Sequence, residues 1–385
     1  MISTREKFLA VEHEMNQILV ERSAAIRGVM LATLSSTNLL LLGPAGIAKS
    51  LLINEWNRRI TGSKFFGWLL TKFSTPEELF GPISLKGLEE ERYYRVTKNK
   101  LPEANTAFLD EIFKANSSIL NALLTVLNER VFFNDGVAVP LDLVTIAGAS
   151  NEIPETDDGL DAFFDRFILK YHLQSIHEPS SFVKMLQLAK QTPKATVSLV
   201  DIRAAQEEIE KIQIDENLYA HIVKVREAIR KDITAVSDRT FKTSIRVLQA
   251  EAWLNGRDAV QIDELEMYRH IAWNKPEQEK SVHSLILEMI SPEKNKIHTL
   301  YNDVQDVVKL VYKHKDAAKR QTAVIEAAQK IRDARMQIAQ LKRTMAGKKQ
   351  DIVEVEKMET ELENMNMNMA RDLLGVDLAK MQAKV

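Results

Sequence analysis

The chain has 385 residues, which predicts two or three domains rather than one hydrophobic core. Its net charge of −2 gives no excess of positive charge with which to bind nucleic acid or an anionic membrane. The sequence has no Cys, and this excludes disulfides, cysteine-ligated zinc and thiol catalysis. No apolar stretch is long enough to predict a signal peptide or a membrane span, so we expect a cytoplasmic protein.

Strands and helices are predicted to alternate in the first half of the chain. Two helices are expected between Glu6 and Leu34, broken near Glu21, because apolar residues recur three and four positions apart. Short apolar runs that end in Gly, acidic or polar residues predict buried strands. These runs are Leu39–Leu42, a segment within 64–71, Phe108–Leu109, and segments within 142–150 and 167–171. The alternation predicts a parallel α/β sheet in residues 1–190.

The composition changes after residue 190. From Val200 to Trp273 every segment has helical periodicity, so residues 191–276 are predicted to form an all-α domain. In residues 277–385, near-heptad apolar spacing over 324–345 and 352–376 is interrupted at Gly347. This spacing predicts an antiparallel coiled-coil hairpin of two helices. The hairpin either protrudes and binds a partner or packs back on the body, and the pattern does not distinguish the two.

A phosphate-binding loop is predicted between the first strand and the helix after it. Backbone N–H groups of such a loop, with the positive end of the helix dipole, bind phosphates. Lys49 would reach the β- and γ-phosphates, and the Ser50 hydroxyl would bind Mg²⁺. Ala48 stands where this motif usually has Gly. Alanine is acceptable there if the residue has helical dihedral angles and its methyl group points away from the phosphate. The expected ATP-binding residues are Gly43, Pro44, Ala45, Gly46, Ile47, Ala48, Lys49, Ser50, Leu51 and, from the next motif, Asp110.

Acidic and polar residues end two later strands. Asp110 would hold Mg²⁺ through water, and Glu111 would orient and polarise the water that attacks the γ-phosphate. Asn151 ends the next long strand, and its amide can both donate to phosphate and accept from that water. Strand ends are commonly polar, so each motif alone is weak. Their order after the phosphate loop favours catalytic roles for Glu111 and Asn151.

Three arginines are candidates for stabilising charge on the transferred phosphate. Arg166 lies at a helix-to-strand junction among aromatic residues, and Arg130 follows a predicted helix end. Either of these two would act on the nucleotide of a neighbouring subunit. Arg239 begins a helix in the all-α region, from which it would reach the γ-phosphate and couple the angle of that domain to nucleotide state. The alternative for Arg166 is a local surface ion pair with Asp165, and each of the three arginines is ambiguous by itself.

The ordered motifs resemble the MoxR family of AAA+ ATPases, and most closely its RavA branch. The resemblance covers about residues 10–275, and the Ala48 departure recurs in that branch. Beyond residue 276 the sequence departs from RavA-like proteins, because a charged helical tail stands where they have a further β-rich domain. The segments that carry the resemblance are Leu42–Ser50, Phe73–Pro82, Leu101–Ala104, Phe108–Ile112, Ile119–Leu124, Asn128–Arg130 and Ala149–Glu152.

The resemblance implies an AAA+ fold, with residues 1–190 as the nucleotide-binding core and 191–276 as its helical lid. Adenine would lie near Val20–Arg22. Two inserted β-hairpins are also implied, one pairing Ile83–Lys86 with Tyr93–Val96 and one turning at Asp135-Gly136. The implied roles are Walker A for Gly43–Ser50, Walker B for Asp110 and Glu111, sensor 1 for Asn151, arginine finger for Arg166 and sensor 2 for Arg239.

The function that these motifs favour is ATP hydrolysis with Mg²⁺ in a hexameric ring that remodels or activates a partner protein, as a chaperone does. Family members often act beside a protein with a von Willebrand A domain, which is the partner implied here. A nucleic-acid-associated ring motor is an alternative that the near-neutral charge disfavours. A nucleotide-switched assembly scaffold is another, which the presence of Glu111 disfavours.

Overall fold

The computed structural model describes residues 2–152, 161–189, 192–313, 317–347 and 352–374. Its contacts divide the chain into two compact units, Met1–His283 and Ser284–Val385, which we call the N-terminal and C-terminal units. The domain boundaries predicted at residues 190 and 276 are not tested by this division and stay predictions. Among the described helices, none is both long and apolar enough to cross a bilayer.

Two helices open the N-terminal unit, as the apolar spacing predicts. Helix α1 (Thr4–Ile18) is capped at Ser3, whose hydroxyl accepts from the Glu6 amide while the Glu6 carboxylate accepts from the Ser3 amide. Helix α2 (Ser23–Leu34) is buried along most of its length, so it packs inside the unit. Glu21, between the two helices, has a left-handed φ of 55° that interrupts the helical path.

A parallel sheet forms the centre of the N-terminal unit. The strands, in chain order, are β1 (Leu39–Leu42), β2 (Ile60–Thr61), β3 (Phe65–Leu69), β4 (Thr106–Asp110), β5 (Val131–Asn134), β6 (Val137–Pro140), β7 (Thr145–Ser150), β8 (Leu169–His172) and β9 (Val197–Ser198). Five of them form the central sheet in the order β3-β4-β7-β1-β8, and each neighbouring pair runs parallel. The predicted parallel α/β sheet is therefore confirmed.

The strand order brings the ends of three strands to one edge of the sheet. β1 pairs with β7 so that Leu42 lies opposite Ser150, and β4 pairs with the other side of β7. All residues of β1 and β7 are buried, which makes this the interior of the sheet. The segments that follow β1, β4 and β7 therefore leave the sheet side by side at its carboxyl edge, where ligands bind in open α/β sheets.

Helices alternate with the strands up to β9, and the described elements after β9 are helices. In chain order they are α3 (Lys49–Asn57), α4 (Pro76–Phe80), α5 (Leu85–Glu89), α6 (Ser117–Glu129), α7 (Asp161–Phe164), α8 (Pro179–Gln187), α9 (Leu199–Ile209), α10 (Glu216–Asp232), α11 (Asp238–Leu254) and α12 (Glu279–Ile290). Short 3₁₀ helices lie at Leu101–Glu103, Ile112–Lys114, Ile262–His270 and Pro276–Gln278. The part of the N-terminal unit that follows β9 is helical as predicted, and the segment Ile262–His270 within it is a 3₁₀ helix rather than an α-helix.

The first insertion is not the β-hairpin that the family resemblance implies. Ile83 and Arg95 form a single antiparallel bridge, and the chain between them contains α5. Helix α5 forms there because the Ser84 hydroxyl accepts from the Gly87 amide and caps its first turn. The cap satisfies backbone groups locally, so no strand ladder extends beyond the bridge.

The second insertion is a hairpin of β5 and β6, as implied. Asp135 and Gly136 have φ values of 54° and 73°, which suit the two central residues of a type I′ turn. The Asp135 carboxylate accepts from the Tyr93 amide at 2.9 Å, and the Asn134 amide oxygen accepts from the Arg95 amide at 2.7 Å. The two insertions are therefore joined, and they form one surface in which Tyr93, Phe133 and Val137 are each more than half exposed.

The described residues of the C-terminal unit are helical, as predicted for the tail, and beyond the end of α12 they contain three long helices. They are α13 (Pro292–Lys313), α14 (Ala317–Gly347) and α15 (Val353–Leu374). Helices α14 and α15 are antiparallel, because Lys342 pairs with Glu359 at 2.8 Å and Arg335 with Glu363 at 3.4 Å. The antiparallel relationship fits the predicted hairpin, of which Val376 lies outside the described residues.

Helix α13 is the member of the C-terminal unit that the predicted hairpin omits. Its buried residues Ile297, Tyr301, Val304 and Val311 belong to the same apolar core as those of α14 and α15. Lys294 pairs with Glu354 at 2.7 Å, and the Tyr312 hydroxyl donates to Asp372 at 3.4 Å. Since both pairs join residues sixty positions apart, α13 and α15 run parallel. Among the described residues of this unit, α13, α14 and α15 therefore pack around one apolar core.

Candidate active site

The predicted phosphate loop leaves β1 at the carboxyl edge of the sheet and enters α3. Gly43 has φ of 137°, and a Cβ there would lie 2.3 Å from the Leu173 carbonyl oxygen, so only Gly fits. Gly46 also has a positive φ, of 81°, in open space. Pro44, Ala45 and Gly46 are exposed, whereas Ile47 and Lys49 are buried. Leu51, in the first turn of α3, is half exposed. The tip of the loop is therefore open to a ligand.

Ala48 does not have the helical dihedral angles that its tolerance was expected to require. Its φ is 71° and its ψ is 24°, which is the left-handed region. An L-residue in that region is roughly 1–2 kcal/mol less stable than in the right-handed region. Ala48 therefore does not meet the expectation of helical dihedral angles. Gly is usual at this position because it adopts a left-handed conformation without this cost.

Lys49 is held by three oxygen acceptors. Its ammonium donates to the carbonyl oxygens of Gly43 at 2.5 Å and Pro44 at 2.9 Å, and to the amide oxygen of Asn151 at 2.6 Å. Burial lowers the pKa of Lys49, while the nearby charges of Asp110 and Glu111 act in the opposite direction. A phosphate can replace these neutral acceptors with a charged one.

The two predicted magnesium ligands are in contact. The Ser50 hydroxyl, at the start of α3, donates to the Asp110 carboxylate at 2.9 Å. The other Asp110 oxygen accepts from the Glu111 amide at 3.0 Å. Mg²⁺ prefers oxygen ligands and keeps several waters, so a hydroxyl and a carboxylate at the sheet edge are a donor set that fits it.

Glu111 and Asn151 meet at the same edge. Asn151 follows β7, and its amide nitrogen donates to the Glu111 carboxylate while its amide oxygen accepts from Lys49. Glu111 has a left-handed φ of 52°, and its second oxygen lies 3.3 Å from the Lys114 ammonium. The structure thus brings together Lys49, Ser50, Asp110, Glu111 and Asn151, which sequence reasoning placed in one site.

A cavity of about 250 Å³ lies beside the phosphate loop. Glu21 and Arg22 line it, as the implied adenine site requires, whereas Val20 is not among its lining residues. Arg22 donates to the carbonyl oxygens of Ile47 at 3.2 Å and Gln174 at 2.7 Å. Arg22 therefore ties the N-terminal segment to the loop.

The far wall of the cavity was not predicted. Tyr171 of β8 and His270 of the helical region stack with ring centroids 4.2 Å apart, and both line the cavity. Burial lowers the pKa of His270 well below its ordinary value, so its imidazole is neutral. No sequence pattern links these residues, because they are a hundred positions apart and only the fold places them together.

Arg166 lies at the opposite, amino edge of the sheet. It precedes β8, and its carbonyl oxygen accepts from Asn38, which precedes β1. Its guanidinium lies 3.9 Å from the Asp165 carboxylate. Burial lowers the pKa of Arg166, and the neighbouring charge of Arg239 lowers it further.

Arg239 belongs with Arg166 rather than with the phosphate loop of its own chain. Its guanidinium donates to the Asn128 amide oxygen at 3.3 Å, near the end of α6. The adjacent Leu127 carbonyl accepts from Asn38 at the amino edge. Arg239 thus lies at the amino edge of the sheet rather than beside the phosphate loop of its own chain, and its approach to a γ-phosphate stays a prediction.

Arg130 is part of the core of its own chain. It donates to the Ser36 carbonyl at 3.2 Å, the Asn38 amide oxygen at 2.9 Å and the Val144 carbonyl at 3.4 Å. Burial lowers its pKa to about 10. Because one terminal nitrogen makes all three of these contacts, Arg130 is fixed to the interior of its own chain.

Two protein-family models match the sequence. Residues 6–214, more than half of the chain, match the model described as the MoxR domain in the MoxR-vWA-beta-propeller ternary systems. Residues 217–286 match a model of the AAA lid domain. The two matches are consecutive and together cover the parallel sheet and the helices that follow it.

Similar proteins include two uncharacterized proteins of Methanocaldococcus jannaschii. One is 38% identical over 276 residues, which are 71% of this chain and 72% of that protein, and the other is 36% identical over 270 residues, which are 70% and 72%. The chaperone MoxR1 of Mycobacterium tuberculosis is 26% identical over 225 residues, 57% of this chain and 58% of its own. A crystal structure from Cytophaga hutchinsonii has the same fold, with a TM-score of 0.61 and 21% identity over 75% of this chain and 95% of that one.

Proposed function

Because the chain belongs to the MoxR family of AAA+ ATPases, we propose that it hydrolyses ATP with Mg²⁺ in a hexameric ring and thereby remodels or activates a partner protein. The observation that carries this proposal is the line of contacts from Lys49 through Asn151 to Glu111, beside the Ser50–Asp110 hydrogen bond. These side chains come from three separate segments. Together they offer a phosphate-binding cation, a magnesium site and a base.

Each residue has its own part in the reaction. Lys49 exchanges its protein acceptors for β- and γ-phosphate oxygens. Glu111 orients the attacking water and accepts its proton, and Asn151 holds the Glu111 carboxylate towards that water. Mg²⁺, held by Ser50 and Asp110, would neutralise charge on the phosphate oxygens when bound.

The arginines needed to complete this site would come from a neighbouring protomer. Arg166 and Arg239 lie at the amino edge of the sheet. The phosphate loop Gly43–Ser50 with Asp110, Glu111 and Asn151, which we call the cradle, lies at the carboxyl edge. The four residues of β8 alone separate these edges by about 13 Å. Two positive side chains close enough for one to depress the pKa of the other are suited to an incoming anion. In a ring, the arginines at the amino edge of one protomer can face the nucleotide at the carboxyl edge of the next, so each site receives the arginines that its own chain does not supply.

We place the partner on the surface formed by the two joined insertions. Tyr93 and Phe133 are 59% and 58% exposed there, although the segments that carry them are fixed by hydrogen bonds. Exposed apolar groups on an ordered surface are typical of a protein-binding site. A partner with a von Willebrand A domain is proposed, in keeping with the description of the matching family model. A cytoplasmic location and a place in the RavA-like branch are part of the same proposal.

Three variants test the ATPase. Lys49→Ala is expected to abolish hydrolysis, Glu111→Gln to bind ATP without hydrolysing it, and Lys72→Ala, which changes an exposed lysine, to keep the parent rate. Hydrolysis by Lys49→Ala at the parent rate would show that the site is misassigned. Negligible hydrolysis by the parent, with assembly unaffected by Glu111→Gln, would favour a nucleotide-switched scaffold.

Further measurements test the ring, the partner and the nucleic-acid alternative. Analytical ultracentrifugation of Glu111→Gln with ATP is expected to give the mass of a hexamer. Full turnover by a strictly monomeric sample would contradict the proposal that the arginines act on a neighbouring protomer.

The partner is tested by identifying the proteins that tagged Glu111→Gln retains in the presence of ATP. These proteins should be lost when Tyr93→Ser and Phe133→Ser are added to the same tagged variant. Salt-dependent stimulation of the ATPase by DNA would instead favour a nucleic-acid motor.

A further inference from the structure

Asp165 joins the sheet to the helical region at one carboxylate. The Ser237 hydroxyl lies 2.9 Å from both of its oxygens, and the Thr240 hydroxyl donates to one of them at 2.8 Å. Both hydroxyls belong to the beginning of α11, whereas Asp165 lies between α7 and β8. A carboxylate that accepts from two hydroxyls of another element fixes the position of that element.

The two donors to Asp165 bracket Arg239. The Ser237 hydroxyl also accepts from the Thr240 amide at 3.2 Å and caps α11. Arg239 projects from this capped turn, and Arg166 directly follows Asp165 in sequence. One residue therefore holds the backbone segments from which both arginines extend.

A second contact makes the same junction rigid. The Lys170 ammonium lies 5.0 Å from the ring centre of Phe164 and 5.5 Å from that of Trp273. Lys170 belongs to β8, Phe164 to α7 and Trp273 to the end of the helical region. Lys170 is buried, and Asp165 is the charge that favours its protonated form. Asp165 thus lies where the sheet and the helical region are packed, not at a loose edge.

The charges at the junction also require Asp165. Arg166 and Arg239 repel each other, and burial already disfavours the charge on Arg166. The Asp165 carboxylate, 3.9 Å from the Arg166 guanidinium, is a negative charge beside this pair. Its loss would remove one term that offsets the repulsion between the two guanidiniums.

We propose that Asp165 is a positioning residue that holds Arg166 of the sheet and Arg239 of the helical region as one unit, so that both reach the nucleotide of the neighbouring protomer together. The inference rests on the proposed function, because it assumes that these arginines act in trans. It extends that function by making the helical region of one protomer move with the nucleotide state of the next. Asp165 itself touches no substrate.

The test mixes two defective proteins. Asp165→Asn keeps one carbonyl acceptor but loses the charge, and kcat is expected to fall between about ten-fold and a hundred-fold with KM for ATP unchanged. Lys49→Ala is inactive but has an intact Asp165 and both arginines. In an equimolar mixture, a Lys49→Ala protomer should present its arginines to the intact cradle of an Asp165→Asn neighbour, so the rate should exceed the sum of the separate rates.

Matched variants separate the possible outcomes. Asp238→Asn changes an exposed carboxylate of the same turn that pairs with Arg226, and it should keep the parent rate. Thr240→Val removes one donor to Asp165 without changing side-chain shape, and it should lower kcat and be rescued in the same way. Parent-like kcat for Asp165→Asn, or an equal deficit with and without Lys49→Ala protomers, would overturn the inference.

Arg166→Ala separates this inference from the proposed function. If Lys49→Ala rescues Arg166→Ala but not Asp165→Asn, the arginine acts in trans and the role of Asp165 is wrong. If neither is rescued, the trans arrangement itself is wrong. Thermal unfolding of every variant shows whether a lost rate reflects a lost fold, and Thr240→Val answers the question if Asp165→Asn does not fold.

Discussion

The Lys49 ammonium and the Asn151 amide oxygen are 2.6 Å apart, and the other end of the same amide donates to Glu111. The proposed phosphate-binding lysine and the proposed catalytic carboxylate are therefore linked through one side chain. If a phosphate drew Lys49 away, the Asn151 amide oxygen would lose the Lys49 donor, and the amide could then turn with Glu111. The arrangement relates nucleotide binding to the orientation of the base.

Asn151→Ala removes this link. Glu111 would keep only its pairing with Lys114, so the carboxylate would no longer be held towards the water. We expect kcat for ATP hydrolysis to fall by about a hundred-fold, while the affinity for a fluorescent ATP analogue changes little. Asn121→Ala, at an exposed position of α6, is the control. A parent-like kcat for Asn151→Ala would exclude the proposed role.

Ala48→Gly is expected to stabilise the protein. Gly adopts the φ of 71° without the penalty of a β-carbon, and this gain exceeds the added freedom of the unfolded chain. The free energy of unfolding should rise by about 1 kcal/mol in urea denaturation. Ala45→Gly, at the exposed tip of the same loop, should not stabilise. Destabilisation by Ala48→Gly would show that the methyl group has a packing role.

Arg130 and Arg166 should separate stability from turnover. Arg130→Met removes a donor to the Ser36 and Val144 carbonyl oxygens, and it leaves the Asn38 amide oxygen with the Ile146 amide alone, so we expect a loss of about 2–4 kcal/mol in the free energy of unfolding. Its folded fraction should hydrolyse ATP at the parent rate. Arg166→Ala should show the reverse, with a small change in stability and a large loss of rate. A rate defect in fully folded Arg130→Met would restore it as a trans candidate.

Lys170 should make stability depend on pH in the alkaline range. Its pKa in the folded protein is lowered from 10.5 to about 8 by burial, so between these values the unfolded chain binds more protons. The free energy of unfolding therefore rises as pH increases from about 8 to about 10, by about 3 kcal/mol at most. Below pH 8 both states are protonated and this contribution is constant.

Lys170→Met supplies the comparison for that measurement. Urea denaturation at pH 7.5 and 9.5 should show a smaller rise in stability for the variant than for the parent. The comparison is needed because burial raises the pKa of Tyr171, which acts in the opposite direction at alkaline pH. An equal rise in both proteins would show that Lys170 does not titrate in this range.

The sequence was sufficient for the cradle and insufficient for its surroundings. Gly43–Ser50, Asp110 and Asn151 each stand at a strand end, and parallel strands bring such ends together, so their meeting followed from local patterns. The left-handed Ala48 and the location of Arg239 did not follow. The first depends on how the loop closes over α3, and the second on how the helical region packs beside Asn128.

Helix α13 lies within the tail that was predicted to be helical, but it was not assigned to the hairpin. Ile297, Tyr301, Val304 and Val311 have helical spacing, so the sequence carried a signal for a third amphipathic helix beside the predicted pair. The first insertion failed because a serine cap competes with strand pairing over a few residues. The stack of Tyr171 on His270 had no signal, since neither residue is unusual in its own segment.

Because α13 and α15 run parallel, distances between chosen positions on the two helices can be predicted and measured. Lys294 and Tyr312 are separated by about 27 Å along one helix, and each faces a residue sixty positions later. Spin labels at 294 and 372 would therefore report the long distance, and labels at 312 and 372 the short one. If ATP leaves both distances unchanged, α13 and α15 do not move relative to one another during the nucleotide cycle.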